Sequence, residues 1–406
     1  MQTLFLQLLS PLSLFLKQES EQIDKSVGSR TFSYEDFIKN LIYGTSIRID
    51  SFRKLILDLS SNENVEKLGL KAVAFSTFKD GFSRFNYLFV NKLYTYLLTQ
   101  IDFQQVPDLK ELGLFKLVDG SLFPTLSSVD WAGYKKHKKA IRLHLSFCLN
   151  SLSPSEFLVA KGNSCERSFL KSIVEIGHTY IADRGYFSFD LARFIDKSRA
   201  FFIFRLKENF IFNIIFSVDV TSGDAKMPLC FNQIKDDVIY FVNDPNKIVY
   251  RLIRFTVLSS HFTICTNRFD LNTLQIIVLY AYRWQIELFF KFIKRTLNGI
   301  HLFSTSENGA QIHFLIVLIT AILQIKLKQD CIVKMKQMQK NEQNQNNSIN
   351  NNSTEKYSGF DPSQWIQNIA EIFSKGFKIS SDWLFYYKNY IAQNIDYQII
   401  IKLAST

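Results

Sequence analysis

The sequence has 406 residues, 47% of them hydrophobic, which is enough to bury a substantial core in two or three globular domains. Its 48 lysines and arginines against 37 aspartates and glutamates give a net charge of +11, which favours an anionic partner such as nucleic acid. The five cysteines are scattered and form no C-x-x-C pair, which argues against a disulfide framework and a cysteine-based zinc site.

Residues 1–110 predict a series of helices. The leucine-rich start has no basic segment and contains Pro11, so it indicates a helix rather than a signal peptide. Ser33 and Asp36 form a capping pair ahead of an apolar run, and a second periodic run spans residues 87–98. Short helices of this kind pack either as a helix-turn-helix module or as a bundle with no DNA role, and these residues leave both open.

The pattern changes to β near Leu114. Residues 114–119 are an apolar run that ends in Asp119 and is followed by Gly120. We predict a strand with the aspartate at its end. An aspartate beside glycine is often only a turn residue, and this segment alone favours that interpretation.

A dense basic segment follows, ahead of a strand predicted over residues 143–149. Such a run is usually a solvated loop. Beside a strand that neighbours Asp119, however, it can also bind a phosphate backbone. Its candidate DNA-binding residues are Lys135, Lys136, Lys138, Lys139 and Arg142.

Residues 156–207 alternate between strands and helices. Strands are predicted at 156–160, 178–182 and 201–207, with helices at 165–175 and 188–196. The second strand runs into Asp183, with Gly185 two residues later, so it repeats the pattern of apolar strand, acid and glycine. This order favours an α/β core with Asp119 and Asp183 on neighbouring central strands. Residues 208–261 then read as a β-rich insertion, after which a strand returns to the core at 262–266 and Asp270 or Asn272 begins a long helix.

Residues 280–295 contain no proline or glycine and predict one continuous helix. At about 100° per residue, its polar side chains fall within an arc of roughly 80° while the rest of the surface is apolar. A buried helix with one polar stripe must present that stripe to a cleft or to the interior. The alternative is a set of ordinary i,i+4 pairs between Arg283, Glu287 and Lys291. The stripe contains Tyr280, Arg283, Glu287, Lys291 and Lys294.

The spacing Tyr280-x2-Arg283-x3-Glu287-x6-Lys294 resembles the Y-(2)-R-(3)-E-(6)-K signature of one branch of bacterial insertion-sequence DDE transposases. The stretch Ala-Asp183-Arg-Gly-Tyr is similar to the family's A-D-R-G-Y/F motif. The resemblance implies an RNase H-like catalytic core at 111–330, with the β-rich insertion at about 208–261. It also implies that residues 1–110 bind the DNA ends.

The resemblance makes Asp119, Asp183 and Glu287 a catalytic, metal-binding triad. Three carboxylates can hold two divalent cations, one activating water or a 3′-hydroxyl and the other stabilising the leaving oxygen. Oxygen ligands favour Mg²⁺, for which Mn²⁺ can substitute. We expect Arg283, Lys291 and Lys294 to bind phosphates and Tyr280 to lie at the same DNA end. If Asp119 lies on the far side of the sheet, Asp130 is the replacement.

The function implied is cut-and-paste transposition in the bacterial cytoplasm, at the nucleoid. The partner is double-stranded DNA, both terminal inverted repeats and target, bound by a homodimer on paired ends, with a hairpin intermediate during excision. One alternative is a nuclease with the same core and no strand transfer. The other is an inactive DNA-binding relic, against which the presence of all three acids argues.

The C-terminal part has three features. The apolar run at 314–325 is shorter than the roughly 20 residues of a membrane span and predicts a core helix. Residues 331–358, rich in Gln and Asn, predict a flexible linker. Residues 359–406 predict a C-terminal helical segment.

Overall fold

The computed structural model describes residues 3–28, 31–102, 109–125, 129–135, 138–220, 231–257 and 260–346. They form one mixed sheet with helices on both faces, together with an N-terminal group of helices. The predicted α/β fold class is therefore confirmed. The predicted C-terminal segment at 359–406 lies outside the described residues.

The N-terminal part is helical, as predicted. Ser33 and Asp36 form the expected capping box, with each side chain accepting a hydrogen bond from the other residue's backbone N–H. The helices are α1 (Leu4–Leu9), a 3₁₀ turn (Ser10–Leu12), α2 (Ser13–Val27), α3 (Tyr34–Ser46), α4 (Phe52–Ser61), α5 (Phe75–Arg84) and α6 (Tyr87–Gln100).

In the described parts of the chain, ten strands form a single sheet. They are β1 (Leu114–Pro124), β2 (Gly133–Lys135), β3 (Lys138–Cys148), β4 (Ser153–Lys161), β5 (His178–Ala182), β6 (Phe201–Arg205), β7 (Phe212–Ser217), β8 (Phe231–Phe241), β9 (Val249–Val257) and β10 (Ser260–Thr266). Their order is β2-β3-β1-β5-β6-β10-β9-β8-β7, with β4 also paired to β3. Strands β1, β5 and β6 are parallel neighbours at the centre. The β-rich insertion extends the same sheet. Strand β10 pairs with β6 of the core and with β9, and β9 pairs with β8.

The remaining helices cover the two faces of the sheet. On one face, α7 (Glu166–Ser172) and α8 (Phe189–Lys197) pack over a smaller core. On the other face, α9 (Thr273–Ala281), α10 (Trp284–Lys291) and α11 (Glu307–Asn346) share a larger core with the N-terminal helices. Helix α9 begins at Thr273, and its N-cap is Asn272, one of the two predicted starts, whose side chain accepts a hydrogen bond from the Gln275 N–H.

Helix α11 is the centre of the larger core. Within the described residues, its segment Glu307–Cys331 is long and apolar enough to cross a membrane, but 83% of its most apolar window is buried inside the protein. That burial is typical of a core helix, as predicted for residues 314–325. The helix continues to Asn346, so the part of the predicted Gln/Asn-rich linker up to that residue is helical, and residues 347–358 lie outside the described residues.

Candidate active site

The pairing of β1 with β5 places the two predicted aspartates at the same height. The last residues paired between these parallel strands are Leu117 and Ile181, and Asp119 and Asp183 each lie two residues further on. Side chains alternate along a strand, so each aspartate points to the same face as the residue two before it. Leu117 and Ile181 both belong to the larger core, under α9 and α10. Both carboxylates therefore face these helices.

The prediction that Asp119 ends its strand is wrong. β1 runs on to Pro124, because its residues after Asp119 stay in register with β3. Only the pairing with β5 stops before Asp119, which leaves that side of the strand open. The acid followed by glycine therefore marks the point where β1 stops pairing with β5, and not the end of β1 itself.

The Asp119 carboxyl is poorly compensated as an anion. Burial raises the pKa of Asp119 to about 6, with Glu166 and Glu287 adding to the effect. Opposing it are Arg283 and a 2.8 Å hydrogen bond that Oδ1 accepts from the Gly120 N–H. A carboxyl in this condition is stabilised by any cation that approaches it.

The predicted continuous helix at 280–295 is interrupted. Between α9 and α10 the backbone tightens, because the N–H groups of Arg283 and Gln285 donate three residues back to Tyr280 and Tyr282. After α10 it widens into a π-helical turn, Phe292–Thr296. Both irregularities lie within the predicted polar stripe. π-Turns of this kind are frequent at functional sites.

Arg283 links the three acids. Its Nη1 lies 2.8 Å from Glu287 Oε1, and its guanidinium interacts electrostatically with Asp119 and Asp183. The Tyr280 hydroxyl donates to Asp183 Oδ1 at 3.4 Å, and the Tyr280 ring lies 5.8 Å from the Arg283 guanidinium. Burial opposes the charge on Arg283, but Tyr280, Asp183 and Glu287 outweigh it and raise the pKa of Arg283. The structure thus brings the predicted triad together around one cation.

The two lysines of the stripe differ. Lys294 is half-buried against β1, where its Nζ donates to the Leu122 carbonyl at 2.9 Å and lies 4.7 Å from the Phe123 ring centroid. Burial lowers the pKa of Lys294, and Asp119 opposes this effect. Lys291 is exposed, and its Nζ lies 4.8 Å from the centroid of the Trp284 ring.

The described residues of the basic segment lie in two paired strands and not in a solvated loop. β2 and β3 pair across it, and β3 begins at Lys138 and not at 143, because this part of β3 also pairs with β4 and β1. Lys135 and Lys138 are exposed, while Lys139 donates to the Asp130 carbonyl. Arg142 points into the protein, where it pairs with Glu166. Lys136 lies outside the described residues.

Glu166 was not predicted as a site residue, and it lies behind the aspartates, against the backbone of the two segments that carry them. It contributes to the pKa of Asp119 and packs against Gly120 and Gly185. Its position depends on how α7 crosses the sheet, and no motif in the sequence marks it.

The model of the family described as "Transposase DDE domain" matches residues 113–323, just over half of the chain. The protein belongs to the transposase DDE-domain family. The matched range begins immediately before β1 and ends within α11, so it contains all three acids and the sheet that carries two of them.

Two members of similar sequence are named as transposases. A Sinorhizobium fredii protein named as a transposase, y4zB, is 26% identical over 220 residues, which is 52% of this chain and 60% of that protein. A Geobacillus stearothermophilus protein, named as a transposase for insertion sequence element IS5377, is 22% identical over 301 residues, 72% of this chain and 77% of its own. The match thus covers slightly less than two thirds of the first relative and about three quarters of the second.

The family implies divalent metal use, and the donors present fit a hard cation. All three acids offer carboxylate oxygens, the ligands that Mg²⁺ and Mn²⁺ prefer. Burial raises the pKa of Asp119, and a bound cation would favour its ionised form. In the described part of the chain no three Asp, Glu, His or Cys side chains are arranged to hold a metal as they stand. Arg283 pairs with Glu287 instead, and this ion pair must open before Glu287 can bind a cation.

Proposed function

We propose that this protein is a DNA transposase that cuts and joins the ends of an insertion sequence by phosphoryl transfer. The observation that carries the proposal is the position of Asp119 on β1 beside Asp183, which directly follows the parallel strand β5, with Arg283 interacting with both aspartates and pairing with Glu287. Family membership supports the same class of reaction. The names of both relatives agree with it.

Asp119, Asp183 and Glu287 would hold two Mg²⁺ ions, which Mn²⁺ can replace. When bound, the ions would activate the attacking oxygen and stabilise the leaving oxygen. Arg283 and Lys294 border the same space and suit the phosphates next to the scissile bond, while Tyr280 orients Asp183.

Double-stranded DNA is the substrate of this proposal, as terminal inverted repeats and as target, bound by a homodimer in the cytoplasm. Lys135 and Lys138 are exposed on the β2–β3 hairpin and can approach the DNA backbone. The N-terminal helices would bind the repeats. These helices share one hydrophobic core with α9–α11, so DNA bound to them would be held by the same packed unit that carries Glu287.

The test uses DNA carrying the inverted repeats that flank the reading frame. Purified protein with Mg²⁺ should cut at the repeat ends and join them to target DNA, and Glu287→Gln protein should do neither. Cleavage without joined products would instead identify a nuclease of the same fold. Absence of both reactions with intact, DNA-binding protein would indicate an inactive relic and contradict the proposal.

A further inference from the structure

Glu166, the first residue of α7, lies on the face of the sheet opposite to α9 and α10. Asp119 and Gly120 are consecutive residues of β1 and so face opposite sides. Val118, on the same side as Gly120, packs in the smaller core with residues of α7 and α8. Glu166 therefore contacts the backbone behind the aspartates and is not placed among their carboxylates.

The two oxygens of Glu166 pack against both aspartate-bearing segments. A Cβ on Gly120 would lie 3.2 Å from Oε1, and a Cβ on Gly185 would lie 3.2 Å from Oε2. These glycines follow Asp119 by one residue and Asp183 by two. At this height β1 and β5 are no longer paired, since their register ends at Leu117 and Ile181. Backbone pairing between these strands therefore does not fix their spacing here. The Glu166 carboxylate lies where it can fix that spacing.

The position of Glu166 is itself fixed by Arg142. The guanidinium of Arg142 pairs with Oε1, and its Nε donates to the Gly162 carbonyl at 3.1 Å. The neighbouring Arg167 donates to the Gly185 carbonyl at 3.2 Å, which ties the same helix to the second segment. Arg142 stands on β3 opposite Leu122 of β1, so this group of contacts connects β3, β1 and the turn after β5.

We propose that Glu166, held by Arg142, is a positioning residue that sets the spacing between Asp119 and Asp183 and thereby their affinity for a divalent cation. This inference rests on the proposed function. It assigns Arg142 a role inside the protein instead of the contact with DNA expected from the basic segment. It also explains why a glycine follows each aspartate closely: a side chain at either position would displace the glutamate.

The test is a Mn²⁺ titration of the full-length protein without DNA, in which the EPR signal of free Mn²⁺ measures binding. The melting temperature is measured on the same samples. Glu166→Gln keeps the shape of the side chain and removes its pairing with Arg142. We expect it to weaken Mn²⁺ binding about 10-fold, the size of effect typical of residues that orient metal ligands. Gly185→Ala, at an exposed position, should weaken binding in the same direction by displacing Oε2.

The matched control is Glu156→Gln. Glu156 pairs at 2.7 Å with Lys116 of β1, before Asp119 on the same strand, and is similarly half-exposed. We expect Glu156→Gln to lower the melting temperature and leave Mn²⁺ affinity unchanged. Equal weakening by Glu156→Gln would mean a general loss of stability and would overturn the positioning role.

Two other results separate this inference from the proposed function. Wild-type affinity in Glu166→Gln, together with lost binding in Asp183→Asn, would overturn the positioning role and leave the proposed function standing. Absence of Mn²⁺ binding by the wild-type protein would overturn both.

Discussion

Arg251 and Arg283 are both largely buried beside carboxylates, but they differ in how their donors are used. Arg251 on β9 donates to both oxygens of Asp236, to the Thr273 hydroxyl, and to the carbonyls of Arg268 and Leu271. Arg283 makes one ion pair with Glu287, and its buried Nε has no partner among the described residues.

This difference in the use of donors distinguishes a structural ion pair, at Arg251, from an arginine that still has a donor free to bind substrate, at Arg283. Around Arg251 the donors are used within the protein, and the pair fixes the start of α9 to the β8–β9 hairpin. Around Arg283, three acids share one cation, and the pKa of Asp119 remains raised. A buried group with unused bonding capacity is costly unless something else binds there. The first cluster should therefore control stability, and the second should control activity.

The largest effect is expected from removing a triad acid. Asp183→Asn or Glu287→Gln should lower DNA-end cleavage by about 10,000-fold, equivalent to ~5.5 kcal/mol of transition-state stabilisation, because each removes a ligand of the cations. Melting temperatures should change little. Single-turnover cleavage of labelled repeat DNA measures the loss, and variants that retain near-wild-type cleavage would remove these residues from the site.

The opposite result is expected at Asp236. Asp236→Asn should lower the free energy of unfolding by about 3 to 5 kcal/mol, because it leaves the buried Arg251 without its partner. Cleavage per folded molecule should stay at the wild-type level. Urea unfolding followed by circular dichroism tests the first part. A loss below 1 kcal/mol would mean that the Arg251 cluster is not the structural one.

Asp119 should make stability depend on pH. Its folded pKa of about 6 lies above the ordinary value near 3.9, so between pH 4 and 6 the folded protein keeps a proton that the unfolded chain has released. The free energy of unfolding contributed by this group therefore falls as pH rises through that window. Without divalent cations, Asp119→Asn should be more stable than wild type by about 1 to 2 kcal/mol at pH 7 and equal below pH 4. Identical pH profiles for the two proteins would contradict the burial assigned to this carboxyl.

Smaller effects are expected at the cations of the site. Arg283→Ala or Lys294→Ala should reduce cleavage 10-fold or more, which corresponds to ~1.4 kcal/mol, because phosphate contacts are lost. Mg²⁺ should restore any melting temperature lost in Arg283→Ala by replacing the missing charge. If stability falls while cleavage per folded molecule is unchanged, both residues have structural roles only.

The α/β fold class and the grouping of three residues of the candidate site could be predicted from the sequence, whereas the local backbone could not. Tyr280, Arg283 and Glu287 could be grouped because helical spacing alone puts them on one side, and the contacts among them agree with that. The interruption between α9 and α10 could not be predicted, because no proline or glycine marks it.

Contacts between distant segments were the other gap. Lys294 donates to a backbone carbonyl of β1, and Glu166 of α7 packs against the glycines that follow the two aspartates. Neither contact produces a pattern in the sequence. Arg142 was grouped with the lysines of the basic segment because of its charge, yet it lies among core residues of β3 and pairs with Glu166 inside the protein. Likewise, composition predicted a linker where α11 continues as a helix to Asn346.

The most direct test of the central claim, that the triad binds the catalytic cations, is to change the metal preference of the site with Asp183→Cys. A thiolate is a softer ligand than a carboxylate and favours Mn²⁺ over Mg²⁺. Cleavage of repeat-end DNA is measured in each metal, with Asp183→Asn as the control that no metal should rescue. We predict that Asp183→Cys is inactive in Mg²⁺ and recovers cleavage in Mn²⁺. Equal activity in both metals, or recovery in Asp183→Asn as well, would contradict direct ligation by Asp183.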